Sequence, residues 1–151
     1  MPVTSALLHV AQVAFSAITG YHAYIAITNL QQYEEKTKKA GKYVEEANRQ
    51  LYRTRTTQGA GAVAVLTTLI SAVYLLAAQP SESVRLTLSA ADVLLCLAVN
   101  RHMRSFWQGS VRAPGVTGYN EALKSTEHIM QQLPLLAGSW VVAFGLGVFK
   151  L

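Results

Sequence analysis

Along this chain, long stretches of apolar and small side chains alternate with shorter stretches that hold nearly all the charge. Residues 59–78 (GAGAVAVLTTLISAVYLLAA) contain no ionisable group. At 1.5 Å rise per residue, roughly 20 such residues cover the ~30 Å hydrocarbon core of a bilayer, so this segment predicts a membrane-spanning helix. Residues 6–30 are as long but carry His9, Gln12 and His22. Residues 133–149 reach the minimum length for a span. Residues 86–99 are shorter and interrupted by Asp92, although Arg85 and the stretch 101–107 extend them at both interfaces. The pattern predicts an all-α integral membrane four-helix bundle, with spans over 6–30, 59–78, 85–105 and 133–149 in a single domain 1–151.

The connecting segments differ in kind. Residues 31–58 place Glu34 and Glu35 four positions before Lys38 and Lys39, and Glu45 four before Arg49. That is helical ion-pair spacing, so the segment reads as a solvated helix extending the first span. Pro114 and three glycines make 108–118 an irregular loop. Residues 117–132 predict a short amphipathic helix lying at the interface before the fourth span. Gly59, Gly61 and Ala64 on the second span, and Gly138 and Gly145 on the fourth, mark close helix contacts, with homo-oligomerisation as the second use of such faces.

Charge turns the spans into a topology. Only 14% of the 151 residues are charged and 51% are hydrophobic, against about 25% charge in an ordinary soluble domain. Of 13 Lys and Arg residues, 11 fall within 31–58 and 100–132, leaving Arg85 and Lys150 on the other face. The positive-inside rule makes the two basic loops cytosolic and both termini lumenal. The default compartment is the endoplasmic reticulum, since no Arg-rich transit peptide precedes the first span. The mitochondrial inner membrane, with the loops in the matrix, is the alternative. Residues 1–5 lack the basic start of a cleavable signal peptide, so the first apolar run reads as a retained anchor. Basic loops beside spans account for the net charge of +5, and no aromatic-plus-basic motif points to nucleic acid. A lone Cys96 excludes an internal disulfide framework and a CxxC redox site.

Polar groups inside the spans carry the candidate chemistry. An Asp at mid-helix costs on the order of 2.5–3.5 kcal/mol on insertion scales, so it faces a bundle interior. His9, Gln12, Ser16, Thr19 and Gly20 form one stripe of the first span with His22 at its edge, and that stripe must face other helices. Asp92 lies seven residues beyond Arg85, about 10 Å deeper, which makes Gln12 or His9 its expected partner. Two readings stand: a polar pocket or proton relay using Asp92 with His9 or His22, or structural hydrogen bonds that fix packing. His9 and His22 lie about 20 Å apart along a helix, too far to share a metal ion.

Leu51-Tyr52-Arg53-Thr54-Arg55-Thr56-Thr57 resembles the start of the second helix in the MAPEG superfamily, the membrane-associated proteins of eicosanoid and glutathione metabolism. Arg112-Ala113-Pro114 with Tyr119, and Gln132-Leu133-Pro134, are similar to the corresponding segments of its microsomal prostaglandin E synthases. The resemblance implies glutathione as cofactor, held by Arg53, Arg55, Arg112 and Tyr119, with Arg104 completing the pocket. Aligned on Arg53, Thr57 stands where the family has asparagine and Ala60 where it has glutamate. The plain alternative is that these arginines set orientation and touch lipid headgroups. The layout is also similar to four-span proteins of the anthrone-oxygenase type, which implies proton transfers through His22, Asp92, Asn100 and His102 on a buried phenol.

The sequence therefore predicts a membrane-embedded enzyme or binding protein for a lipophilic small molecule. Its catalytic candidates are Asp92, His22 and Arg104, and its chemistry is glutathione-dependent transfer or isomerisation, or anthrone-type oxygenation. A non-catalytic scaffold or accessory subunit of a membrane complex is the third reading. Expected partners are the bilayer, the lipophilic molecule, and further copies of the chain or a membrane complex.

Overall fold

The computed structural model describes the backbone of residues 2–39, 45–107 and 117–149. These form four helices: α1 (Val3–Lys39), α2 (Glu45–Ala78), α3 (Glu82–Trp107) and α4 (Thr117–Val148). Three contain stretches long and apolar enough to cross a membrane: Val3–Gln32, Arg55–Ala78 and Asn120–Val148. The chain thus has the all-helical build and apolarity of an integral membrane protein.

The expected third span is the exception. Between Arg85 and Arg101 α3 offers 15 residues, about 22 Å of helix against a ~30 Å core, and Asp92 interrupts them. Its place in the bundle comes from packing. α1 lies against α2 and α4, α3 lies against the same two helices, and α1 and α3 occupy diagonal corners.

Local chemistry explains the helix ends. α2 stops at Gln79, which adopts a left-handed backbone (φ 44°) before Pro80, the ending usually given to glycine or asparagine. Ser81 then opens α3. Its carbonyl accepts from Arg85 N–H at 3.1 Å, and Glu82 puts negative charge at the helix's positive end.

Segment 31–58 is helical on both sides, with α1 running to Lys39 and α2 starting at Glu45. Glu34 accepts from the Arg55 guanidinium across the two helices, a bond beyond the i,i+4 pairs expected. The Glu35–Lys39 and Glu45–Arg49 pairs, the side chain of Lys38 and the loop 108–116 lie outside the described residues. Segment 117–132 corrects the sequence reading, since it is not a separate interfacial helix but the first half of α4. Ala122, Ser125, Thr126, Ile129 and Leu133 are buried at helical spacing and continue directly into Leu136, Ala137 and Trp140. The glycines are corrected too. A Cβ on Gly61 would sit 2.9 Å from Met103 Sδ, so that close approach is real. A Cβ on Gly59, Gly138 or Gly145 would meet nothing within 4 Å, so none of the three marks a close approach among the described residues.

The interior has two apolar clusters. One, towards the loop end, joins Ala26, Ala64, Val65, Cys96, Met103, Ile129, Leu133 and Leu136. The other, towards the end where α1 begins, joins Ala72, Leu75, Trp140 and Ala143. Outward-facing Ile18, Leu66, Ile70, Leu94, Leu135 and Val141 are exposed, as lipid-facing residues are. Between and beside the clusters lies a polar layer.

Candidate functional site

Two polar regions occupy opposite ends of this interior. The first is built on the α1 stripe read from the sequence. On that stripe His9, Gln12, Ser16 and Thr19 are buried while Gly20 and His22 are only partly so, and Ser5, one turn before His9, is buried as well. His9 Nδ1–H donates to Gln12 Oε1 at 2.7 Å, and Gln12 Nε2 donates to Ser139 Oγ of α4 at 3.1 Å. The His9 ring lies 5.8 Å from that of Trp140. Thr68 gives its hydroxyl proton to the Val65 carbonyl, so the Ser16 hydroxyl donates to Thr68 at 3.3 Å.

Asp92 joins this region from the opposite corner, 2% exposed. Its hydrogen bond comes from Ser71 of α2, not from His9 or Gln12 as the sequence led one to expect. The reason is topological: α1 and α3 run the same way but are diagonal, so polar groups at matching depth meet α2 and α4 first. His9 and Gln12 turn to α4, and Asp92 turns to α2.

The second region is a cleft of about 440 Å³ towards the loop end. Its lining includes His22, Asn29, Glu121, Glu127, His128 and Gln131, drawn from α1 and α4. The rings of His22 and His128 lie 3.9 Å apart between centroids, tilted by 43°. Glu127 and Gln131 also line a smaller cleft of about 220 Å³ with Arg104, Trp107 and Met130. One stretch of α4 therefore has the histidine pair on its α1 side and Arg104 on its α3 side. Arg104 is exposed and donates to Asn100 Oδ1 at 3.4 Å. His102, also exposed, lines none of these clefts.

The candidate catalytic residues thus divide between the two regions. Ser16 meets Thr68 and Asp92 meets Ser71, so the helical rise separates His22 from Asp92 by about 13 Å along the bundle. Of the candidate glutathione ligands, Arg55 pairs with the buried Glu34 and lines a third cleft, of about 370 Å³, with Leu30, Gln31 and Gln58. Thr57 accepts from Trp107 Nε1 at 3.1 Å, and Gln58 donates to Thr126 at 3.0 Å. Arg112 and the side chains of Arg53 and Tyr119 lie outside the described residues.

Sequence reasoning missed His128, Ser71, Ser139 and Trp140. For His128 a signal existed, because the apolar series from Ala122 to Leu133 runs without a break into the fourth span. No group of three or more His, Cys, Asp or Glu able to hold a metal ion occurs among the described residues. No protein family, curated protein or solved structure matches this chain.

Proposed function

We propose that this chain is a four-span membrane protein that binds a lipophilic small molecule bearing an ionisable hydroxyl or carboxyl group, and acts on it by proton transfer. The molecule enters the α1–α4 cleft from the bilayer, its polar end towards His22 and His128. α3 crosses with the other helices, both termini are lumenal, and the two basic loops are cytosolic. The single observation that carries this reading is the contact of His22 and His128 over a cleft of about 440 Å³, a size that suits a small-molecule ligand. Two neighbouring imidazoles can offer one donor and one acceptor nitrogen side by side, as acid–base catalysis on a phenol or enol requires. Arg104, on the far side of Glu127 and Gln131, adds positive charge for an anionic product.

The glutathione version has less support. Arg55 already neutralises Glu34, and Thr57, engaged by Trp107, stands where the resembling family uses an asparagine to hold glutathione. The test is turnover of anthrone by the purified, detergent-solubilised chain, with and without glutathione, under air and under nitrogen. Oxygen-dependent, thiol-independent conversion that is lost in His22→Ala and His128→Ala supports the proposal. Glutathione-dependent turnover abolished by Arg53→Ala moves the site to the α2 arginines. Absence of binding by any lipophilic phenol or acid, with stable copurification of a partner chain, favours the scaffold reading instead.

A further inference from the structure

At the end of the bundle where α1 and α3 begin, the interior holds more hydrogen-bonding capacity than the chain itself fills. α1 lines it with Ser5, His9, Gln12 and Ser16, and α3 with Arg85, Ser89 and Asp92. Both sets recur every three or four residues, so each forms one stripe of its helix. The two helices run in the same direction at diagonal corners, and the stripes descend together from that end. Four buried polar atoms here have no hydrogen-bond partner among the described residues: Ser5 Oγ, Arg85 Nε, Asp92 Oδ2 and Trp140 Nε1. Each would cost about 1–3 kcal/mol if left dry. Four on one path share one economical explanation, which is water reaching them from the nearby end of the bundle. Below Asp92 the path closes on Ala64, Val65, Cys96, Leu133 and Leu136, all fully buried and apolar.

We infer that these stripes form a one-ended proton entry path and that Asp92 is the proton-binding site at its floor. None of its residues lines the α1–α4 cleft, so the inference stands apart from the substrate reading above. In the loading step a hydronium arriving along the path gives its proton to Asp92 Oδ2. The carboxylate becomes a carboxylic acid, water is left behind, and the other oxygen keeps the hydrogen bond from Ser71. The charged and titratable groups around the path are few. His9 and Arg85 are close enough to interact electrostatically, and so are Asp92 and Cys96 one turn on. From α2 and α4 come Thr68, Ser71 and Ser139 hydroxyls and the Trp140 indole, none of them charged. A proton that reaches Asp92 can leave only by the way it came, as a loading site requires and a leak does not.

The test uses the full chain carrying Cys96→Ser, reconstituted into lipid vesicles whose orientation is read from an N-terminal tag. Single cysteines replace Ser89 on the path and Ala64 in the apolar cluster. A small, positively charged, membrane-impermeant methanethiosulfonate is then added to one side at a time. Thiolate forms only where water reaches, so Ser89→Cys should react from the termini side about 100-fold faster than Ala64→Cys, and neither should react from the loop side. In the same vesicles of the Cys96→Ser chain, an infrared carboxylic-acid carbonyl band should follow the pH on the termini side and vanish in Asp92→Asn. If Ser89→Cys does not fold, Ser5→Cys at the mouth carries the same comparison. Reactivity no higher than at Ala64, reaction from the loop side, or a carboxyl band indifferent to the termini-side pH would each overturn the inference.

Discussion

Gln12 is held at both ends of its amide, accepting from His9 and donating to Ser139, and so ties α1 to α4 deep in the bundle. Replacing it by leucine fills the volume but leaves the His9 imidazole N–H without its acceptor in an interior that offers few others, while the Ser139 hydroxyl loses an incoming donor and keeps its own bond to the Leu136 carbonyl. Gln12→Leu should lower unfolding stability by about 1–3 kcal/mol, read from thermal melts by circular dichroism in detergent. Ser139→Ala should cost less, because His9 keeps its acceptor. The opposite sign is expected at Gln79, whose left-handed backbone carries a Cβ penalty that glycine lacks. Gln79→Gly should stabilise by about 1 kcal/mol in the same assay. At this scale the sequence was legible where a helix's own spacing decides the matter. The stripe from His9 to Thr19 had to face other helices, and its side chains are buried. It was not legible where two helices must meet. Nothing in the chain around Asp92 says whether its corner of the bundle adjoins α1, and nothing near His22 announces a ring on α4.

Among the elements, the α1–α2 hairpin and α4 show how far periodicity reaches. The charged extensions of α1 and α2 were readable as helix from ion-pair spacing, but Glu34 and Arg55 pair across the helices. Glu34 is 3% exposed while its partner's side chain is 56% exposed, so the charge most in need of a partner is the carboxylate. Arg55→Ala strands it, at a cost of roughly 1–3 kcal/mol once solvent screening of the exposed arginine is allowed for. Adding Glu34→Gln should recover most of that loss. Hydrogen exchange along residues 30–39 and 52–60 would show the single variant opening and the double variant closing again. Full additivity of the two changes would rule out the coupling. In α4 the error of reading lay in a boundary. Residues 117–132 were expected as a separate interfacial helix ahead of a span opening at 133, yet both belong to one continuous helix with Pro134 inside it. Helices in a membrane bundle tolerate an interior proline when neighbours re-satisfy the freed backbone. Buried positions on both sides of it keep the same face, and that continuity outweighed the local signal.

For the whole molecule the question is whether α3 crosses the membrane with its neighbours. By apolarity alone there are three candidate spans, and an odd number would put the two termini on opposite sides. Packing argues otherwise. α3 lies against both α2 and α4, and its buried face runs from Ser89 through Asp92, Cys96 and Met103 to Trp107. On the proposed topology a helix so placed between two spans would share their depth, with Arg85 and Arg101 extending their side chains to the two headgroup layers. Asp92 is turned inward to Ser71, which would offset its cost in a spanning helix. The proposed four crossings would put the two termini on one side and the two basic loops on the other, where the positive-inside rule wants them. In a Cys96→Ser background, single cysteines placed at the exposed Thr4, at Gly41 and at Gly109 should therefore sort into two classes towards an impermeant maleimide. Gly41→Cys and Gly109→Cys should label from the cytosolic side in sealed microsomes, and Thr4→Cys only after the membrane is opened. If Gly41→Cys and Gly109→Cys instead label from opposite sides, an odd number of crossings lies between them and α3 does not span. The α3 stripe would then lose its depth in the bilayer, and with it the proton path.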